Sequence, residues 1–277
     1  MANLRAIRTR IKSIESTRQI TKSMKMVAAS KLRKTQQAYA RLRLFAARSA
    51  LILSSVNASG AGKESVLLTH PEKKGKVCYV LIVGDRGLCG TYSHDLLRYL
   101  QELRAQEERE VLLYTIGRWG KDLIGPTDGH FDVSDAPTAQ EAREVTEALC
   151  DLYREGEIEE VVLIYQQFRS VLQQTPEAKV LLPLSAPEGE EDEPPPIYEP
   201  DAETVLDRLV ELTLQATVHA VLLEARTGEH AARMTAMTAA SDNTDELIGK
   251  LTLELNHARQ AAITTEISEI VGGAAAL

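Results

Sequence analysis

The chain has 277 residues, of which 44% are apolar, 26% are charged and only 4% are aromatic. This composition is that of a globular protein, but the scarcity of aromatic residues indicates that much of the chain is extended helix rather than the core of a compact enzyme. No run of eighteen apolar residues occurs, which excludes a membrane-spanning helix.

The net charge of −8 conceals a strongly basic N-terminal segment. Residues 1–50 contain thirteen Lys or Arg and a single acidic residue, Glu15, whereas residues 51–200 and 201–277 carry net charges of −13 and −7. A segment this basic in an acidic protein indicates an acidic partner, which could be nucleic acid, a lipid headgroup layer or an acidic protein surface. A solvated basic face is the simpler alternative.

The N-terminal segment, residues 1–59, is predicted to be one long helix, because it contains neither glycine nor proline. Its apolar residues recur at the three-four spacing of a coiled coil, with Arg18, Thr21 and Lys25 interrupting the stripe. The apolar positions are Leu4, Ile7, Ile11, Ile14, Ala28, Leu32, Tyr39, Leu42, Leu53 and Val56. At a rise of 1.5 Å per residue the helix would be about 80 Å long.

The middle segment, residues 60–200, contains all ten prolines and alternates strand and helix patterns. The predicted strands are 77–83, 111–116, 161–168 and 180–184, and the predicted helices are 91–108 and 138–154. This order predicts a Rossmann-like α/β domain with a mostly parallel sheet. The acidic, proline-rich residues 186–200 are predicted to be an exposed loop.

The C-terminal segment, residues 201–277, is predicted to be a second long helix that begins at the N-cap Asp201. Gly228 and Gly249 are candidate bends or close contacts within it. Its predicted apolar stripe is Val205, Leu209, Leu212, Ala216, Ile248, Leu251, Leu255, Ala258, Ala262, Ile263, Ile267 and Ile270. Because one such helix cannot bury its stripe alone, we expect the two ends to form an antiparallel coiled coil.

The sequence offers no constellation typical of an enzyme. No two of the six histidines have the four-residue spacing of a metal pair on a helix, and no Gly-x-Ser-x-Gly elbow is present. Residues 84–90 (GDRGLCG) join a predicted strand to a helix, so they are either a tight structural turn or a nucleotide-binding loop. The three cysteines, Cys78, Cys89 and Cys150, indicate reduced thiols in the cytosol. We therefore predict no catalytic residue, no cofactor and no metal.

Six segments resemble one known family along the whole chain. They are residues 20–31 (ITKSMKMVAASK), 85–90 (DRGLCG), 198–201 (YEPD), 229–234 (EHAARM), 258–264 (ARQAAIT) and 269–274 (EIVGGA). Their order and spacing are similar to those of the gamma subunit of F-type ATP synthases. The terminal segments carry the resemblance most specifically, and the middle matches more loosely.

This resemblance implies a non-catalytic rotor in the central stalk, which couples proton-driven rotation of a c-subunit ring to the catalytic sites of three alpha and three beta subunits. It implies contacts of Met24, Lys25, Arg259 and Gln260 with the beta subunit. Tyr198 and Glu199 would contact the c ring or the epsilon subunit. The chain would be peripheral to the cytoplasmic side of a bacterial-type cell membrane, since no transit peptide is seen.

Two other functions remain open from the residues alone. A nucleic-acid-binding coiled coil would use the basic helix and would bind DNA or RNA with a steep salt dependence. A nucleotide-dependent enzyme would use the turn at residues 84–90. The resemblance implies no nucleic-acid partner and places the nucleotides on other subunits.

Overall fold

The computed structural model describes residues 2–58, 66–68, 75–119, 124–184, 199 and 201–275. The chain divides into two compact units. Unit 1 consists of Met1–Ala28 and Arg233–Leu277, and unit 2 consists of Ala29–Ala232. The predicted division into segments 1–59, 60–200 and 201–277 stays a prediction, because both terminal helices contribute to both units.

The terminal helices are as long as the sequence predicts. Helix α1 spans Ala2–Ala58 and has 57 residues, and helix α4 spans Ala202–Ala275 and has 74 residues. Asp201 begins α4 as predicted, because its carboxylate accepts hydrogen bonds from the backbone N–H of Thr204 at 2.8 Å and from its hydroxyl at 3.0 Å.

Unit 2 contains a five-stranded sheet in the order β3-β2-β1-β4-β5. The strands are β1 (Lys76–Ile82), β2 (Val111–Ile116), β3 (Gly129–Phe131), β4 (Ile158–Phe168) and β5 (Gln174–Leu182). Strands β1 to β4 are mutually parallel, and the edge strand β5 pairs with β4 in the antiparallel direction. The predicted mostly parallel α/β sheet is therefore confirmed. The sequence missed β3, and β5 begins six residues before the predicted 180.

The two faces of the sheet are both covered, which explains the continuous apolar sequence of β1. Helix α2 (Tyr92–Gln106) packs with Val77, Tyr79 and Leu81 on one face. Helix α3 (Ala139–Arg154) and parts of α1 and α4 pack on the other face. The start of α3 is fixed by a capping box, in which Thr138 and Glu141 bond each other's backbone N–H groups.

Helices α1 and α4 are antiparallel. In unit 2, Lys31 of α1 and His230 of α4 both contact Asp135, while Tyr39 of α1 hydrogen-bonds Glu224 of α4. Residue numbers thus rise along one helix as they fall along the other. The less exposed side chains of α1 recur every three or four residues from 4 to 56, which is the heptad period of a coiled coil.

In unit 1 the N-terminal part of α1 and the C-terminal part of α4 pack by the same period. Ile7, Thr21 and Ala28 are buried on α1, and Met237 and Leu251 are buried on α4. Arg18 forms an ion pair with Asp245 at 2.8 Å across the two helices. The predicted coiled coil is confirmed, including its polar position at Thr21.

The prediction of the apolar stripe of α4 is wrong at several positions. Leu212 is 44% exposed, because Leu206, Val210 and Leu214 form the buried face of this part of the helix. The late stripe positions also face solvent in this chain, at Ile263, Ile267 and Ile270. The two glycines predicted as bends or close contacts, Gly228 and Gly249, differ as well. A side chain at 228 would lie 3.2 Å from the ring of Tyr92, whereas one at 249 would meet nothing within 4 Å.

Candidate functional site

The residues predicted to contact the beta subunit all lie in unit 1. Met24 and Lys25 are half-buried on α1, and Arg259 and Gln260 are exposed on α4. Of the pair predicted to contact the c ring or epsilon, Glu199 is exposed and Tyr198 lies outside the described residues. All four of these unit 1 side chains are therefore at least partly exposed at the surface of the chain.

The structure does not bring the two predicted beta-contact pairs together. The Arg18–Asp245 ion pair sets the register of the two antiparallel helices. In this register Lys25 lies opposite about residue 238, and Arg259 lies opposite about residue 4 of α1. The two pairs are therefore about 30 Å apart along the coil axis, at a rise of 1.5 Å per residue. Unit 1 thus carries the predicted contact residues at two positions rather than at one.

A cationic groove lies beside the Arg18–Asp245 ion pair in unit 1. Its volume is about 1040 Å³, and α1 supplies most of its lining. The charged residues that line it are Lys12, Glu15, Arg18, Lys22, Lys25 and Asp245. Hydrogen bonding to Asp245 raises the pKa of Arg18. The four cations outnumber the two acids, so the charge of this groove favours acidic groups, and its lining contains no aromatic side chain on which a nucleic-acid base could stack.

The turn at residues 84–90 is structural. Leu88 and Gly90 adopt left-handed backbone angles, with φ of 64° and 63°. Asp85 is occupied on both carboxylate oxygens, by the backbone N–H of Arg118 at 3.1 Å and by Arg226 at 2.7 Å. A side chain at Gly87 would lie 3.1 Å from the ring of Trp119. The Asp85 carboxylate and the space beside Gly87 are therefore taken up within unit 2, which favours the structural turn over the nucleotide-binding alternative.

A polar cluster that is buried in unit 2 was not predicted from the sequence. Residues 221–231 of α4 are buried on every side, although they include Glu224, Arg226, Glu229 and His230. Burial raises the pKa of Glu224, whose carboxylate accepts a hydrogen bond from the backbone N–H of Phe168 at 3.0 Å. The only available signal was the absence of a polar face in this stretch, which is typical of a fully enclosed helix.

Within the described ranges, the cysteines form no reactive thiol site and the His, Cys, Asp and Glu side chains form no metal site. Cys78, Cys89 and Cys150 are buried free thiols. Burial raises the pKa of Cys78 to about 12 and that of Cys150 to about 11, so both thiols stay protonated at neutral pH. No group of three or more His, Cys, Asp or Glu side chains is placed to hold a metal ion within the part of the chain that the structure describes.

Membrane association through a spanning helix also finds no support in the described residues. None of the helices there combines the length and the apolar character needed to cross a bilayer.

Comparison with known proteins identifies the family. The family model described as ATP synthase matches residues 3–277. The chain is 44% identical to the ATP synthase gamma chain of Desulforamulus reducens, over 100% of both chains. The chain belongs to the ATP synthase gamma chain family. It is also 42% identical to the ATP synthase gamma chain of Moorella thermoacetica, again over 100% of both. The resemblance read from the six sequence segments is thereby confirmed.

Solved structures share the fold of this gamma chain. The rotor of the Euglena gracilis mitochondrial ATP synthase matches with a TM-score of 0.68 and 21% identity, covering 95% of this chain and 99% of that one. The central stalk and c-ring structure from Tetrahymena thermophila matches with a TM-score of 0.62 and 23% identity, covering 80% and 99%. The combination of an α/β sheet with long terminal helices is therefore shared with these proteins.

Proposed function

We propose that this gamma chain is the non-catalytic rotor of the central stalk of an ATP synthase. In this proposal it couples proton-driven rotation of a c-subunit ring to conformational changes at the catalytic sites of three alpha and three beta subunits. Family membership over the full length supports the central-stalk role. The related solved structures are a rotor, an F1/c-ring assembly and a central stalk with a c-ring, which supports the choice of partners.

The observation that carries the proposal is the antiparallel pairing of two helices of 57 and 74 residues. Paired long helices resist bending and twisting better than loops, which suits an element that transmits torque. A single chain inside a three-fold ring also presents a different face to each copy, so it breaks the symmetry of the ring. The three catalytic sites would then occupy different states at any moment.

The charge of unit 1 suits contacts that must break and re-form. Residues 1–28 contain seven Lys or Arg and the single acid Glu15. Exposed ion pairs contribute only about 0–1 kcal/mol each, so cations facing acidic loops would attract the ring without holding the shaft at one angle. We assign Met24 and Lys25 to one contact with the beta subunit, and Arg259 and Gln260 to another.

The remaining partner assignments belong to the same proposal. Glu199, which is exposed, and Tyr198 would contact the c ring or the epsilon subunit. The chain would lie at the cytoplasmic side of the cell membrane as a peripheral part of the complex. It would bind neither nucleic acid nor a cofactor.

The proposal is tested by the Met24→Lys variant in the assembled enzyme. The added cation lies beside Lys25 and would strengthen a contact with the beta subunit that rotation must break. We expect ATP hydrolysis to continue while proton pumping per ATP falls severalfold in reconstituted vesicles. Met24→Leu, which keeps an apolar side chain of similar size, should pump normally. Met26→Lys adds the same charge at a side chain that is 59% exposed and tests whether position matters.

Two results would count against the proposal. One is unchanged pumping per ATP in vesicles that contain assembled Met24→Lys enzyme. The other is failure of the wild-type chain to purify together with alpha and beta subunits from its own cells. Salt-dependent binding of DNA or RNA by the purified chain would instead favour the basic helix as a nucleic-acid site.

A further inference from the structure

Arg226 of α4 lies in a closed polar site in unit 2. Its side chain is only 4% exposed. Its guanidinium contacts Asp85 Oδ2 at 2.7 Å and Glu229 Oε2 at 2.9 Å, and donates a hydrogen bond to the backbone carbonyl of Val133 at 3.1 Å. We call Arg226 and these three partners, Asp85, Glu229 and Val133, the Arg226 anchor. Both terminal nitrogens of the planar guanidinium make polar contacts, and these contacts fix the orientation of its plane.

The anchor joins α4 to the carboxyl ends of three neighbouring parallel strands. Asp85 follows β1 and Val133 follows β3. Asp85 also accepts a hydrogen bond from the backbone N–H of Arg118, which follows β2. Glu229 lies against Gly84, where a Cβ would come within 3.0 Å of the glutamate carboxyl carbon. The Arg226 guanidinium therefore joins α4 directly to the residues that follow β1 and β3, and through Asp85 to the residue that follows β2.

Neighbouring residues of α4 extend this polar contact to other parts of unit 2. The Glu224 carboxylate accepts a hydrogen bond from the backbone N–H of Phe168, the last residue of β4, at 3.0 Å. The Tyr92 hydroxyl at the start of α2 donates a hydrogen bond to the Ala225 carbonyl at 2.7 Å. Three consecutive residues, 224–226, thus bind three separate parts of the fold.

We propose that the Arg226 anchor fixes the rotational setting of α4 about its own axis against the sheet of unit 2. Apolar packing is not directional, so it resists rotation of a helix less specifically than bonds of fixed angle do. A buried ion pair often adds little net stability over well-packed apolar residues, which makes orientation the better explanation for its presence. Arg226 is then a positioning residue.

The consequence for torque rests on the proposed function. If rotation enters the chain through unit 2 and is delivered through the helices, then α4 must not turn relative to the sheet. The anchor lies on α4 a few residues before Arg233, where the chain passes into unit 1. Loss of the anchor would let part of the imposed rotation be absorbed within unit 2 instead of being transmitted.

The test uses a variant that removes the anchor without leaving a buried charge unpaired. In Arg226→Met/Asp85→Asn/Glu229→Gln all three charges are replaced by neutral side chains of similar size. Arg226→Lys keeps the charge but loses the planar group with two terminal nitrogens. We expect it to have an intermediate effect on the orientation of α4. Leu214→Ala is the matched control, because it weakens the buried packing of the same helix without removing a directional bond.

The orientation of α4 is measured as a distance distribution between two spin labels on the full-length chain. The labels are placed at Leu212→Cys on α4, which is exposed, and at Glu102→Cys on α2, also exposed, and the three native thiols are buried. We expect the triple variant to broaden the distribution by about twofold, with unchanged helix content by circular dichroism, and Leu214→Ala to leave the width unchanged. A wild-type width in the folded triple variant would overturn the proposal.

Torque transmission is measured separately as protons pumped per ATP in vesicles that contain the assembled enzyme. The triple variant should pump fewer protons per ATP than wild type, while Leu214→Ala should not. A broadened distribution with full pumping would overturn the torque role. Should the wild-type chain fail to assemble with alpha and beta subunits, the proposed function would be wrong, and the spin-label distances would still decide whether the anchor sets the orientation of α4.

Discussion

Glu107 holds an ion-pair network at the end of the sheet where β1, β2 and β4 begin. One carboxylate oxygen accepts hydrogen bonds from the Arg109 backbone N–H at 3.2 Å and from its Nε at 2.8 Å. The other accepts from Arg109 Nη2 at 2.9 Å and from the Tyr79 hydroxyl at 3.2 Å. Arg109 Nη2 also contacts Glu160 at 2.6 Å. We expect Glu107→Gln to destabilise unit 2 at neutral pH and to do so less as the pH falls.

The magnitude follows from the pKa of Glu107. Hydrogen bonds from Arg109 lower this pKa from 4.5 to about 2. That difference corresponds to about 3 kcal/mol, and screening near the surface reduces the expected contribution to about 1–2 kcal/mol. Because the pKa is lower in the folded state, the contribution is complete above about pH 4.5. It is lost as the pH falls from about 4.5 toward 2, where the carboxylate becomes protonated.

The assay is urea unfolding of the full-length chain at several pH values, followed by the fluorescence of its one tryptophan, Trp119, which lies in unit 2. Glu108→Gln, at the exposed neighbouring position, is the matched control and should change the free energy of unfolding by less than about 0.5 kcal/mol. A Glu107→Gln effect that is equally large at pH 7 and near pH 2.5, or that equals the control at pH 7, would refute the reasoning.

Two further comparisons test local features of the fold, one between two glycines of α4 and one at the N-cap of α3. Gly249→Ala should stabilise α4 by about 0.5–1 kcal/mol in urea unfolding followed by circular dichroism, because alanine is the better helix former and nothing lies within 4 Å of the new methyl group. Gly228→Ala should stabilise less or destabilise, since its methyl group would lie 3.2 Å from the Tyr92 ring, and an equal gain at both positions would contradict this contact. Thr138→Ala should lower the free energy of unfolding of unit 2 by about 1 kcal/mol through loss of the capping box, whereas Thr138→Ser should keep most of it; equal losses would show that the cap hydroxyl does not matter.

The features that the sequence predicted well are those set by short-range pattern. Helix α1 could be predicted over its full length because glycine and proline are absent and its apolar residues recur at three-four spacing on both sides of the polar positions Arg18, Thr21 and Lys25. Strand β2 was predicted with the bounds Val111–Ile116 that the structure has. In such segments each residue's environment repeats at a fixed interval, so neighbouring positions support the same interpretation.

The features that were missed depend on contacts between distant parts of the chain. Strand β3 has only three residues, Gly129–Phe131, and exists because it pairs with β2. The exposure of Leu212 follows from which side of α4 meets the sheet, and the apolar pattern permits more than one choice there. Sequence position also could not show that the predicted contact pairs at Met24 and at Arg259 lie at separate heights along the coil.

The same helix buries charges in one part and exposes apolar residues in another, and both are unusual for an isolated soluble protein. Arg226 is closed off within unit 2, where two of its acceptors follow strands β1 and β3 and the third, Glu229, lies on α4 itself. Ile263 and Ile270 face solvent in unit 1, at 47% and 71% exposure. A buried network of fixed geometry suits a part that must not turn, whereas an apolar surface without such bonds suits a part that turns against a partner. On this argument α4 changes, along its length, from a helix held by directional bonds to a helix that makes contacts which are easily exchanged.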